Sequence, residues 1–124
     1  MDAALQQLQG TWQAIRVETA AGPVSAEVAW RLRYVIEGDH VTLFEEDQAT
    51  GAGTVAVHPE ATPKAIDVEL TDGPGRGQVA RGIYEVVEGR LRLCIGPERP
   101  AEFSATGAAS LVELERAPTG AESG

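Results

Sequence analysis

The stretch Pro63–Ile95, PKAIDVELTDGPGRGQVARGIYEVVEGRLRLCI, decides the fold. It consists of three apolar runs joined by two turn signals. In the first run Ile66, Val68 and Leu70 alternate with Asp67, Glu69 and Thr71, and a period of two marks a half-buried strand. Gly73, Pro74, Gly75 and Gly77 follow within a few residues; such a density of glycine and proline ends a strand and makes a loop. A longer run then extends from Gln78 to Val87. Glu88-Gly89 reads as a two-residue hairpin loop, with glycine supplying a positive φ, and Arg90 to Ile95 is the return strand.

This hairpin predicts its own register. With Glu88 and Gly89 in the turn, Val86 faces Leu91, Glu85 faces Arg92 and Tyr84 faces Leu93. Directly opposed residues share a face of the sheet. One face then holds Gly82, Tyr84, Val86, Leu91, Leu93 and Ile95, and it is the core face. The other holds Ile83, Glu85, Val87, Arg90, Arg92 and Cys94. A slip of one residue would mix the two sets, so the pairing is well specified. Upstream, Arg31–Glu37 and His40–Glu45 repeat the same logic around Gly38-Asp39. There Tyr34 faces Leu43 and Ile36 faces Val41, with Arg33 and Phe44 on the opposite face.

The rest of the chain supplies further strands. Asp2 is placed to cap a short helix through Leu8. Thr11–Thr19 alternates as a strand, and Ala20–Pro23 is a turn. Val24–Trp30 is ambiguous, with Ser25 able to cap one helical turn. Glu46–Gly51 reads as a polar loop, Gly53–His58 as a strand, and Pro59–Pro63 as a break. Ser110–Arg116 is the last strand. The domain is expected to span 1–117, with the helix in 1–9 and a disordered tail over 118–124. About eight strands with short connections pair as an antiparallel meander. Such a meander closes naturally into an up-and-down barrel, which leaves no exposed edges. The expected class is therefore all-β: an eight-stranded antiparallel, lipocalin-like barrel with a short N-terminal helix.

Composition narrows the function classes. The chain has 124 residues, enough for one domain with a real core. Hydrophobic residues make up 43% and charged residues 23%, an ordinary globular balance. The net charge of −9 repels phosphate backbones and anionic lipid, so nucleic acid and membrane surfaces are poor partners. No apolar run approaches the roughly 20 residues of a membrane span. The opening MDAALQQLQG lacks a basic region and an apolar signal core, and the cytoplasm is the expected compartment. Cys94 is the single cysteine, which excludes an intrachain disulfide and a cysteine-based metal cluster.

Several segments combine into a recognisable order. Leu8-Gln9-Gly10-Thr11-Trp12 opens the first strand. Pro63-Lys64-Ala65-Ile66-Asp67 and Thr71-Asp72-Gly73 lie in the middle. Gly82-Ile83-Tyr84-Glu85, Leu91-Arg92-Leu93-Cys94, Arg99-Pro100 and Glu102-Phe103 follow. Over about residues 5 to 116 the chain resembles the planctomycete-type lipocalin-like domain family, which implies a calycin-like barrel and no assigned activity. Gly10-x-Trp12 is also similar to the Gly-x-Trp signature of lipocalins. That likeness implies that Trp12 plugs the closed end of the barrel, with Arg116 from the last strand as the residue lying across it.

The same likeness bears on ligands. Small lipid-binding barrels hold a ligand carboxylate with an internal Arg and Tyr hydroxyls. If Trp12 points inward, strand alternation sends Arg16 inward as well, and Tyr34 and Tyr84 lie on the two core faces. Arg16, Tyr34, Leu43, Tyr84 and Leu93 are thus the candidate ligand-binding residues, with Leu32, Ile36, Val41, Leu91 and Ile95 lining the apolar tail. The competing reading pairs Arg16 with Glu18 or Glu113 and makes the tyrosines core filler. Neither His40 nor His58 sits in a metal-ligand spacing, Glu45-Glu46-Asp47 lacks the ligand spacing of a calcium loop, and DGPGRG is not followed by the Gly-Lys-Ser/Thr of a phosphate loop. No metal, cofactor or catalytic constellation is expected. The leading expectation is non-catalytic binding of a small apolar molecule, with or without an anionic head group. A packed barrel that meets a protein partner is the second, and a small isomerase or cyclase acting by substrate orientation is the third.

Overall fold

The computed structural model describes residues 3–73, 75–105 and 107–116. Its backbone is one antiparallel sheet that closes on itself. Helix α1 (Ala3–Gln7) leads into β1 (Gly10–Thr19), the two-residue β2 (Gly22–Pro23) and the single-turn helix α2 (Ala26–Ala29). Then come β3 (Leu32–Glu37), β4 (His40–Glu45), β5 (Gln48–His58), β6 (Ala65–Asp72), β7 (Val79–Val87), β8 (Arg90–Gly96) and β9 (Ser110–Arg116). Each strand from β3 onward pairs with its sequence neighbour, and β1 joins β3 on one side and β9 on the other. The result is the expected closed eight-stranded barrel, with β2 as a short appendage on β1.

Both predicted hairpin registers are present. Val86 pairs with Leu91, Glu85 with Arg92 and Tyr84 with Leu93; Tyr34 pairs with Leu43 and Ile36 with Val41. The turn at Glu88-Gly89 has positive φ at both positions, 52° and 78°, the geometry whose twist matches that of the flanking strands. Glu85 and Arg92 form a cross-strand ion pair at 3.2 Å on the outer face.

Three features correct or complete the expectation. Residues 48–51 belong to β5, and the turn shrinks to Glu46-Asp47, with Glu46 at φ 59°. Gln48, Ala49 and Thr50 are exposed on both faces there, so no hydrophobic alternation marks that strand. The Ser25 cap is real: its hydroxyl accepts from the Val28 N–H at 3.3 Å. Helix α2 fills the gap where β1 parts from β3 beyond Gln13, and it buries Ala29 in the core. Third, Ile83 and Cys94, on the outer face of β7 and β8, are as buried as the core, at 1% and 0% exposure. The connection between β8 and β9 lies over them: Cys94 Sγ donates to the Ser104 carbonyl at 3.3 Å, and the Arg92 guanidinium stacks 4.4 Å from the Phe103 ring. The expected Asp2 cap and the expected tail lie outside the described residues.

Candidate functional site

The two ends of the barrel are built differently. At the end that carries α1, Trp12 is fully buried, and its indole N–H donates to the Leu8 carbonyl at 2.9 Å. Gly10 stands at φ +115°, and a Cβ there would come within 3.1 Å of Arg116 Nη1. The guanidinium carbon of Arg116 lies 4.3 Å over the Trp12 ring. Its nitrogens donate to the carbonyls of Gln9 and Gln7. Gly10, Trp12 and Arg116 thus meet in the closure that the Gly-x-Trp likeness implies. Gln9 extends the seal: its side chain donates to the Gly38 carbonyl and accepts from the Gly38 N–H, at 2.8 and 2.7 Å, which ties α1 to the β3–β4 turn.

Above this floor the barrel is hollow. A partly open cavity of about 220 Å³ is lined by inward residues of β3 to β8, together with Leu8. Tyr34, Ile36, Val41 and Leu43 form one side. Val55, Ile66 and Val68 form the next, and Leu91 and Leu93 complete the ring. Leu70, Ala80 and Ile95 lie at the rim, where they also line a surface depression of about 610 Å³ that reaches Gln78 and Pro97. The shared residues make this the side on which the interior approaches solvent.

The wall is apolar but for one group. Among the described residues Tyr34 is the one cavity residue with a polar side-chain atom, and burial pushes its phenol above its ordinary pKa. Among the described residues no hydrogen-bond partner meets that hydroxyl. No charged side chain among the described residues is buried.

The expected site residues divide accordingly. Tyr34, Leu43 and Leu93 line the cavity, together with Ile36, Val41, Leu91 and Ile95 of the predicted tail set. Tyr84 is buried in the core but is not in the cavity wall, and Leu32 packs against the core without reaching it. Arg16 is a correction. It lies on the outside, its side chain 59% exposed, paired with Glu18 and, at 4.0 Å, with Glu113. The cause is a β-bulge: Ala14 pairs with Leu114 but Arg16 with Glu113, so Ile15 is an extra residue. The bulge reverses the alternation, and Val17 points inward where Arg16 was expected. Sequence alternation placed Ile66, Val68 and Leu70 on one face, yet nothing in it distinguished a cavity wall from a packed core.

A polar cluster sits outside the barrel. Asp67 accepts from His58 Nε2 at 2.9 Å and from Arg99, which also donates to the Gly82 carbonyl at 3.3 Å. Partial burial opposes ionisation of Asp67, but the hydrogen bonds and charges of His58 and Arg99 outweigh it and hold the carboxyl below its ordinary pKa. This cluster pins the β8–β9 connection to β6 and β7. His58 is therefore a partner of Asp67 rather than a free surface histidine, whereas His40 is exposed. Among the described residues no group of carboxylates, histidines or cysteine is arranged to hold a metal ion, and no helix is long and apolar enough to cross a membrane.

Comparison of the chain with protein-family models, with curated proteins and with solved structures finds no match.

Proposed function

We propose that the protein binds a small apolar molecule inside its barrel, without catalysis. The observation that carries this reading is the cavity of about 220 Å³ in a wall that is otherwise tightly paired. Folded interiors are close-packed, with few voids larger than a water molecule. Emptying this much space costs stability in proportion to its volume, so a hollow core of this size is a feature to be explained. Its apolar wall with a single polar group matches the general make-up of small-molecule sites. The closed floor at Trp12 and Arg116 and the apolar rim at Leu70, Ala80 and Ile95 support the lipocalin-like version of this reading, in which a ligand enters from one end.

The two other expectations are less well supported. A packed barrel acting only as an interaction module leaves the cavity without a role. An isomerase or cyclase needs an acid, base or nucleophile at the reacting atoms, and the wall offers the Tyr34 phenol alone, pushed away from ionisation.

Calorimetric titration with ethylbenzene tests the reading. One site per chain is expected, and Leu43→Trp, which places a larger ring in the wall, is expected to abolish it while the variant still unfolds cooperatively. Binding that survives Leu43→Trp unchanged would place the ligand elsewhere, and no saturable binding would remove the reading.

A further inference from the structure

We infer that the cavity selects neutral molecules of about nine non-hydrogen atoms bearing one hydrogen-bond acceptor, and that it excludes fatty acids and other anions. The inference rests on internal binding as proposed above and adds the chemistry of the ligand. Three observations carry it.

The first is size. An engineered apolar cavity of about 150 Å³ takes benzene. At the same volume per carbon, the 220 Å³ here accommodates roughly nine atoms, too few for a long acyl chain.

The second is charge. A carboxylate taken into an apolar site needs a cation there, or it is not taken in. The cation expected for that role, Arg16, is on the outer surface and engaged by Glu18 and Glu113. Among the described residues no charged side chain lines the cavity, and the net charge of −9 adds a field that repels anions.

The third is the Tyr34 hydroxyl. Among the described residues it is the one polar side-chain group in the wall and has no hydrogen-bond partner. Burial keeps it protonated, so it is a donor in search of an acceptor. The residue is partly buried, so water entering the cavity meets that donor, whereas a purely hydrocarbon ligand displaces the water and leaves the donor unsatisfied. A ketone, ester or ether oxygen satisfies it. One donor and no charge thus define a ligand with one acceptor and no charge.

The test compares three probes of similar size, about eight to ten non-hydrogen atoms, on the whole chain at pH 7.5: acetophenone, ethylbenzene and phenylacetate. Each is titrated calorimetrically into the wild type, Tyr34→Phe and Arg16→Leu. Acetophenone is expected to lose roughly five- to tenfold in affinity in Tyr34→Phe, which is what one neutral hydrogen bond is worth. Ethylbenzene is expected to be unchanged or slightly tighter in that variant. Phenylacetate is expected to show no saturable binding, and Arg16→Leu is expected to change none of the three. The inference is overturned if Tyr34→Phe affects acetophenone and ethylbenzene alike, or if phenylacetate binds as tightly as acetophenone. In either case internal binding itself stands. If no probe binds, internal binding falls with it.

Discussion

The Arg116 guanidinium carbon lies over the Trp12 indole, 4.3 Å from the ring centroid, and joins the last strand of the barrel to the first. The same guanidinium donates to two carbonyls at the end of α1, and Trp12 donates to a third, that of Leu8. One cation thus stacks on the plug and supplies hydrogen to carbonyls that the short helix leaves open. The closure is a unit: helix, plug and last strand hold one another.

Trp12→Ala is expected to cost about 3–5 kcal/mol, the usual range for truncating a large buried aromatic. Arg116→Ala is expected to cost less, about 1–2 kcal/mol, because its side chain is exposed and its hydrogen bonds compete with water. Urea denaturation of the two single variants and the double variant checks both. The coupling should be visible as a double variant less destabilised than the sum.

Gly10 is expected to resist substitution. Its φ of +115° is one that side chains rarely adopt, and a Cβ there would crowd Arg116. Gly10→Ala should cost about 1–3 kcal/mol, and the cost should shrink when Arg116 is also replaced, since part of it is the 3.1 Å contact. A cost that does not change in the double variant would assign all of it to the backbone.

The outer strap should be sensitive to acid. The carboxyl of Asp67 is held below its ordinary pKa by His58 and Arg99 against the opposing effect of its burial. A lowered folded-state pKa adds stability that is fully present above the unfolded value, about 4 for aspartate. That stability is lost as pH falls through the folded value. Asp67→Asn is therefore expected to be about 1 kcal/mol less stable than wild type at pH 7, with the gap closing below about pH 4. Denaturation curves at pH 7 and pH 3 measure it. Arg99→Ala should release the same connection and raise hydrogen exchange at Cys94 and Ile83, which the connection covers.

Tyr34 makes the opposite prediction at the alkaline end. Its phenol is raised by burial, so the folded state holds its proton more firmly than the unfolded chain. The stability linked to that proton is present below the unfolded tyrosine value of about 10 and is lost as pH rises beyond it. Tyr34→Phe should therefore lose less stability than wild type between about pH 9 and pH 11. Parallel curves for the two proteins would show that the phenol ionises freely.

Much of this architecture is legible in the residues themselves. Period-two alternation and two turn signals were enough to set both hairpin registers, because each shift by one residue would have put Glu85 and Arg92 into the core with Tyr84 and Leu93. The closure was legible through Gly10-x-Trp12, a short motif whose partner Arg116 sits at the end of the last strand. The site was only half legible. Alternation identifies inward residues such as Tyr34, Leu43 and Leu93, but a wall and a filled core carry the same alternation. Whether space remains between them depends on side-chain volumes across the barrel. Arg16 was misplaced because one extra residue, Ile15, breaks the count, and nothing in QAIRVE marks the bulge. The buried outer pair, Ile83 and Cys94, escaped because a distant loop covers them and no local pattern records it.

The most direct test of internal binding is a methyl-resolved NMR titration of the full chain with ethylbenzene. The methyl groups of Ile36, Leu43, Val55 and Leu93 line the cavity, while those of Val28 and Val87 are exposed at 41% and 57%. The account predicts that the four interior methyl sets shift together along one saturation curve, at one ligand per chain, and that Val28 and Val87 stay in place. Shifts confined to Val28 and Val87, or no saturable change at Leu43 and Leu93, would contradict it.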